Sequence, residues 1–236
     1  DITLDTSTNN FASTVSFASG GTLANVTVAD TNALALGALT LSNNLLVTAG
    51  GAVTQSAALT VSGTSSFTST GTDANITLTQ ANAFSGDVTL TTAGTAGDVS
   101  IDNNTTALGI QGTINGGLTV VNGAAITDSD TLTVTGASSF TIDTGSNHIT
   151  LGTAALTGAI GVSTTGTSNF TLDNTTTAMN LGTVGVTGAL SVTSGETITD
   201  SGVITVAGTS SFTTDVNDKD IILNQSNAMS GNITVS

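Results

Sequence analysis

The sequence predicts an all-β protein, a right-handed parallel β-solenoid (β-helix). Three observations carry that prediction: a repeat of about 73 residues, strand-like segments three to five residues long, and a core inventory with almost no bulk. DITL at 1–4 returns as NITL at 75–78, HITL at 148–151 and DIIL at 220–223, so Ile2, Ile76, Ile149 and Ile221 are spaced by 74, 73 and 72 residues. GTSSFT at 63–68, GASSFT at 136–141 and GTSSFT at 208–213 drift in step with them. So do QS at 55–56 and DS at 128–129 and 200–201, which follow Val53-Thr54, Ile126-Thr127 and Ile198-Thr199. The markers divide one continuous solenoid, 1–236, into repeats of approximately 1–74, 75–147, 148–219 and a partial 220–236.

Within the first unit the apolar segments read ITL, VSF, VTV, LAL, LTL, LLV, AVT, LTV and SFT, each bounded by Gly, Asn, Asp, Ser or Ala. Alternation of apolar and polar positions between turn residues is the strand pattern. A three-residue strand buries no useful face alone, but stacked on its neighbours it joins a continuous parallel sheet over a narrow core. Three sides per coil give roughly 24 residues per coil, three coils per repeat and about ten coils in all, a rod ~50 Å long at ~4.8 Å per coil. Ile2, Leu4, Val15, Phe17, Val26 and Val28 read as inward, and Thr3, Ser16 and Thr27 as outward. Phe67, Phe140 and Phe212 share one phase and are expected to fill the same corner every third coil. Asp102-Asn103-Asn104 and Asp173-Asn174 read as bends whose side chains bond neighbouring backbone.

The composition agrees. There are 51 Thr and 28 Gly, seven Phe, two Met, and no Pro, Cys, Trp or Tyr, which cannot fill a thick globular core. A hydrophobic content of 38%, carried by Ala, Val, Ile and Leu, suits a thin core repeated along an axis and argues against disorder. A string of immunoglobulin-like sandwiches, one per repeat, is the competing fold. It lacks the length, the linkers, and the Trp, Tyr and Cys that build such cores.

Lys219 faces sixteen acidic residues, a formal net charge of −15. That balance excludes nucleic-acid binding, which needs cations to displace counterions, and opposes contact with an anionic membrane. No run of 18 apolar residues is present, so no direct membrane insertion is expected. The acidity keeps a Thr-rich β-structure soluble. The lack of cysteine fits an extracellular chain that does not rely on disulfides.

No catalytic or cofactor-binding constellation emerges. His148 is the only histidine and takes the slot of Asp1, Asn75 and Asp220, which makes it a turn residue rather than a base. Polysaccharide-cleaving β-helices need acids on adjacent coils, whereas Asp128 and Asp200 share a phase three expected coils apart. Asp128 with Asp130 reads as solvated punctuation of one turn. The one candidate metal site is Ca²⁺ at Asp215, Asp218 and Asp220, the densest acidic cluster. It lacks the glycine-rich nonapeptide of calcium-loaded β-rolls, and the equivalent turns 70–74 and 143–147 carry fewer acids. Thr131-Leu132-Thr133 and Thr77-Leu78-Thr79 have the form of an ice-binding face, but their repeat equivalents, Ala58-Leu59-Thr60 and Thr150-Leu151-Gly152, break the array. A glycan-binding face would carry stacked aromatics, which are missing. Sequons at Asn25, Asn75, Asn104, Asn169, Asn174, Asn224 and Asn232 permit glycosylation without indicating it.

Tracts such as LTVSGTSSFTSTGTDANITL (59–78), SGDVTL (85–90) and LLVTAGGAVTQSAALTVSG (45–63) resemble the repeat regions of filamentous-haemagglutinin-type exoproteins, large bacterial β-helical adhesins often exported by two-partner secretion. The resemblance covers essentially the whole chain. It implies a secreted, extracellular or cell-surface location and an adhesive or scaffolding role, with no catalytic residues to carry over. That family's secretion domain carries Asn-Pro motifs, and no Pro occurs here. The expectation is a non-catalytic structural or adhesive rod, excerpted from a longer repetitive chain. Its partners are neighbouring repeats or further copies in fibres, and host or environmental surfaces. The alternatives are a ligand-binding face for glycan or ice and, behind it, a β-helix enzyme.

Overall fold

A computed structural model describes residues 1–18 and 20–236. Its logic begins with alternation. In the strands Val26–Asp30, Leu45–Ala49 and Ser65–Thr72 every second side chain points inward, and Val26, Val28, Val47 and Phe67 are at most 1% exposed. Parallel pairing keeps these positions in columns: Val26 beside Leu45 beside Ser65, and Val28 beside Val47 beside Phe67. Among the described residues there are 28 strands, no helix, and only parallel pairings between strands.

Two large sheets wall the core. Sheet I runs through twelve rungs from Ile2–Leu4 to Ile233–Val235, and sheet II from Leu34–Leu36 to Ile221–Ile222. A coil is one short arc, a single strand such as Val26–Asp30, and one long arc of two segments about a bend, such as Leu34–Leu36 and Leu39–Leu41. The expected β-solenoid is therefore present, with about twelve turns rather than about ten, ~55 Å long at ~4.8 Å per coil. Coils contain 18 (Leu108 to Ile126) to 24 residues (Ile2 to Val26), and eleven steps from Ile2 to Ile233 average about 21.

A repeat of about 73 residues is then about three and a half coils, not three. Successive repeats consequently lie on opposite sides of the rod. Ile2 and Ile149 stand in sheet I, and Ile76 and Ile221 in sheet II. Phe67 and Phe212 are in sheet I while Phe140 is in sheet II, so the phenylalanines do not share a corner as the repeat phase suggested. The missing half coil traces to long-arc segments too short to show alternation, such as the two-residue strand Ala83–Phe84. In the first coil its counterpart, around Phe11, is not a strand, and VSF at 15–17 is reduced to a single bridge from Val15 to Leu36.

Each half-coil offset needs a junction where two short arcs follow one another, Val88–Ala93 then Val99–Asp102, and Ala159–Ser163 then Phe170–Asp173. At these places short arcs meet long ones. At the first, Leu90 pairs with Gly112, which takes φ 121°; a Cβ there would come within 2.1 Å of the Leu90 carbonyl oxygen. Other left-handed residues recur at the repeat period: Asp73, Gly145 and Asp218 (φ 57°, 73° and 63°), and Asn104 and Thr175 (53° and 40°). A β-branched residue at positive φ is a strained choice, and Thr175 is the one place where the series accepts it.

The core is thin and continuous, with Phe67, Phe84, Phe140, Phe170 and Phe212 all fully buried. Phe67 and Phe84 meet edge to face at 5.7 Å between ring centres. Ser65, Ser138 and Ser210, two residues before the recurring phenylalanines, are also inward, and their hydroxyls find no hydrogen-bond partner. Ile126→Asp, which places an unpaired carboxylate in this core, is expected to cost about 3–5 kcal/mol or abolish folding. Ser138→Ala, which removes an unsatisfied hydroxyl, is expected to be neutral or stabilising. Denaturant unfolding of the two variants checks both, and a harmless Ile126→Asp would refute the stacked-core description.

Candidate functional site

The polar side chains that the sequence singles out are bonded mainly to the adjoining coil. One column stands just before the inward isoleucines. Asp1 Oδ1 accepts the backbone N–H of Asn25 (3.1 Å), Asn75 Oδ1 that of Asp98 (2.8 Å) and His148 Nδ1 that of Asn169 (3.0 Å). The next rung repeats the bond, with Asn25, Asp98 and Asn169 accepting from Asn44, Gly117 and Ala189. His148 is thus one acceptor in a ladder. Aspartate, asparagine and neutral histidine are interchangeable there because each presents a lone pair at a similar distance from the backbone.

A second set pins the bends of the long arcs. Gln55 exchanges hydrogen bonds with the Asn82 amide (2.7 and 3.0 Å). Asp128 accepts from the backbone of Gly152 and Thr153 and from the Thr153 hydroxyl. Asp200 accepts from the backbone of Asn224 and Gln225 and from the Asn227 amide. Asp128 is therefore a clamp between coils rather than solvated punctuation. Asp128 and Asp200 belong to strands of opposite sheets, so they form no paired-carboxylate site. Burial opposes ionisation of Asp200, which is 7% exposed, but the hydrogen bonds from Asn227, Asn224 and Gln225 outweigh it and hold the carboxyl below its ordinary value. Asp73 is held low by the N–H groups of Thr95 and Ala96.

Fully buried asparagines close the corners. Asn103 accepts from Phe84 N–H at 2.7 Å and donates to the carbonyls of Phe84, Thr106 and Ala107. Asn174 does the same with Leu156, Thr177 and Ala178. Asp102 and Asp173 beside them accept from the backbone two residues on, which shapes the left-handed turns at Asn104 and Thr175. The expected backbone-bonding bends are these. Among the sequon residues, Asn174 is fully buried and Asn104 lies exposed on its turn.

The calcium candidates do not form such a cluster. Asp215, Asp218 and Asp220 are exposed; the Asp215 N–H donates to Ser194, and the Asp220 carbonyl accepts from Ile198. Among the described residues no group of three or more His, Cys, Asp or Glu side chains is placed to hold a metal ion. Between them Lys219 pairs with Glu196, a partly exposed contact worth at most about 1 kcal/mol.

The outward rows follow the coils and not the repeat equivalents: Thr133 neighbours Thr113, in the sheet I column Thr48-Thr68-Thr91-Thr113-Thr133. A second column in the same sheet runs Thr127-Thr150-Thr171-Ser191-Ser211-Thr234. Half a turn away, sheet II carries Thr54-Thr77-Ser100-Thr119-Ser139. The hydroxyl array is continuous over five or six coils at a time.

A parallel solenoid whose polar residues join coil to coil defines the class: this is a β-solenoid repeat protein. More particularly, the chain belongs to a family described as repeats of unknown function (DUF5649), whose model matches residues 23–91, 96–166 and 167–236. Each matched unit opens and closes on a short arc, and so contains three and a half coils. No curated protein and no solved structure matches the chain.

Asp200 sets a pH dependence. Its folded-state pKa lies below the ordinary 3.8, so its contribution is present above that value and is lost as the pH falls through the lower one. Asp200→Ala is expected to cost about 1–2 kcal/mol at neutral pH and to flatten the acid limb of the stability curve. Thermal melts of both proteins between neutral and strongly acidic pH measure this. Parallel acid limbs would remove Asp200 from the account.

Proposed function

We propose that the chain is a non-catalytic rod segment of a secreted surface or filament protein, in which reach and stiffness are the function. The observation that carries this reading is the assignment of its polar groups. The histidine, the asparagine ladders and the bend carboxylates of Asp128 and Asp200 bond the adjoining coil, and among the described residues no three or more His, Cys, Asp or Glu side chains converge. The net charge of −15 fits a rod that stays soluble and avoids random bundling. The resemblance to filamentous-haemagglutinin-type adhesins supports an extracellular place and an adhesive use of the tip or flank. No catalytic role and no bound cofactor enter this reading.

The hydroxyl columns favour a second reading, a flat face for a regular ligand such as ice or a crystalline glycan. Thr91→Lys with Thr113→Lys interrupts the longest threonine column without touching the core. On the rod reading, the wild-type chain coupled to beads neither shapes ice crystals nor stays on crystalline polysaccharide, and the double variant behaves alike. Binding by the wild type that the two lysines abolish would replace the rod reading with a ligand-binding face.

A further inference from the structure

The chain repeats one short motif, Asn-x-Ser/Thr, at many places, and the fold treats those places differently. Asn174 is fully buried, and so is Asn103, which also reads Asn-x-Thr. Asn25, Asn75, Asn169 and Asn232 each stand directly before a strand. The two residues that follow them are therefore held in the parallel ladder, at Val26–Asp30, Ile76–Leu78, Phe170–Asp173 and Ile233–Val235. Asn25, Asn75 and Asn169 are also ladder acceptors, and the Asn25 amide donates to Asp1 as well. Asn224 lies on a bend where its own N–H and that of Gln225 are held by the Asp200 carboxylate, and its Oδ1 accepts from the Gln225 amide.

Asn104 is presented in another way. It is exposed at the tip of a turn, at φ 53°, and its whole motif, Asn104-Thr105-Thr106, lies before the next strand, which begins at Leu108. The turn is fixed from beneath. The Asn103 carbonyl accepts the Thr106 N–H (3.1 Å), Asp102 accepts the Asn104 N–H (2.7 Å), and the buried Asn103 amide donates to the carbonyls of Thr106 and Ala107. These bonds use backbone groups of the turn. Among the described residues the Asn104 amide and the Thr106 hydroxyl have no hydrogen-bond partner.

We propose that Asn104 is the N-glycan acceptor of this chain, and that an oligosaccharyltransferase can reach it with the solenoid already coiled. In the transfer, Asn104 Nδ2 attacks the anomeric carbon of an oligosaccharide linked to a lipid diphosphate. The C–N bond forms as the C–O bond breaks, the lipid diphosphate departs with the electron pair, and the amide gives up one proton. The inference rests on the secreted-rod reading for the meeting with such an enzyme, whereas the presentation of the motif rests on the turn alone. The glycan stands at a corner, outside the strands that carry the hydroxyl columns.

The following unit supplies a control. Asp173-Asn174-Thr175-Thr176-Thr177 builds the same turn, with the same buried amide and the same closure of Thr177 N–H on the Asn174 carbonyl (2.9 Å), but with Thr175 at the tip. Asparagine suits a left-handed position without any ligand, so occupancy, and not residue type, is the decisive measurement. Asp73 and Asp102 stand two residues before Asn75 and Asn104. A bacterial transferase that requires an acid at that place reads both motifs in an unfolded chain, and folding alone separates them.

The purified folded chain is incubated with such an enzyme and a lipid-diphosphate-linked oligosaccharide, beside synthetic peptides spanning 70–80 and 99–109, and the products are mapped by mass spectrometry. Both peptides are expected to accept the sugar, whereas the folded chain gains one oligosaccharide, at Asn104. Asn104→Thr, which copies the turn of the following unit, is expected to lose it. Thr175→Asn is expected to gain a second, on the opposite side of the rod, because Asp102 ends a strand of sheet II and Asp173 one of sheet I. Circular dichroism verifies that both variants are folded. No transfer to Asn104 in the folded chain, or transfer to Asn75 to the same extent, would overturn the proposal. So would a folded Thr175→Asn chain that gains nothing, since the same turn would then fail to present its tip. The rod reading is decided separately, by the ice and polysaccharide assays.

Discussion

Everything in this molecule depends on giving each coil's backbone and apolar side chains a partner one coil away. A strand of three residues has neither a core nor a complete set of hydrogen bonds alone; both come from the rungs above and below. Where strands end and the chain turns, backbone bonds between coils continue, as from Gly63 to Asn43 and Gly136 to Gly116, and side chains join them as acceptors and donors. The ladders through Asp1, Asn75 and His148, the clamps at Gln55, Asp128 and Asp200, and the buried amides of Asn103 and Asn174 are local solutions to that one requirement. The abundance of Asn, Asp and Thr, which could pass for low complexity, follows from it.

The same requirement explains which substitutions the repeats tolerate. The bend position varies between Gln55, Asp128 and Asp200, yet each side chain finds a polar partner 24 to 27 residues later. Chemistry at the position drifts while its task is kept. Acidic residues concentrate at turns and strand ends, as with Asp30, Asp102, Asp173 and Asp200, so the outward columns between them are largely uncharged hydroxyls.

Fold class was legible in the sequence because it rests on two short-range signals, alternation and periodic return. Val26, Val28 and Phe67 declare themselves inward from their neighbours alone. The number of coils per repeat was harder, because a two-residue strand such as Ala83–Phe84 leaves no alternation to detect. That half coil misplaced the inferences that depended on which coil an equivalent position occupies: the shared corner of the phenylalanines, the separation of Asp128 and Asp200, and the threonine rows. The roles of His148 and Asp128 were illegible for a different reason. Their partners, Asn169 and Gly152, lie 21 and 24 residues on, and only the coil length reveals that distance as adjacency.

The half-coil remainder has a consequence for how such a protein can change in length. Tandem repeat units are gained and lost by recombination, one whole unit at a time. In a solenoid with a whole number of coils per unit, that event changes only reach. Here each unit ends on the side opposite to where it began, as Ile76 stands opposite Ile2 and Ile149 opposite Ile76. Gaining or losing one unit therefore swings everything beyond it to the far side of the rod, whereas a pair of units restores the original heading. Parity of the unit number, and not length alone, is a heritable property of this architecture.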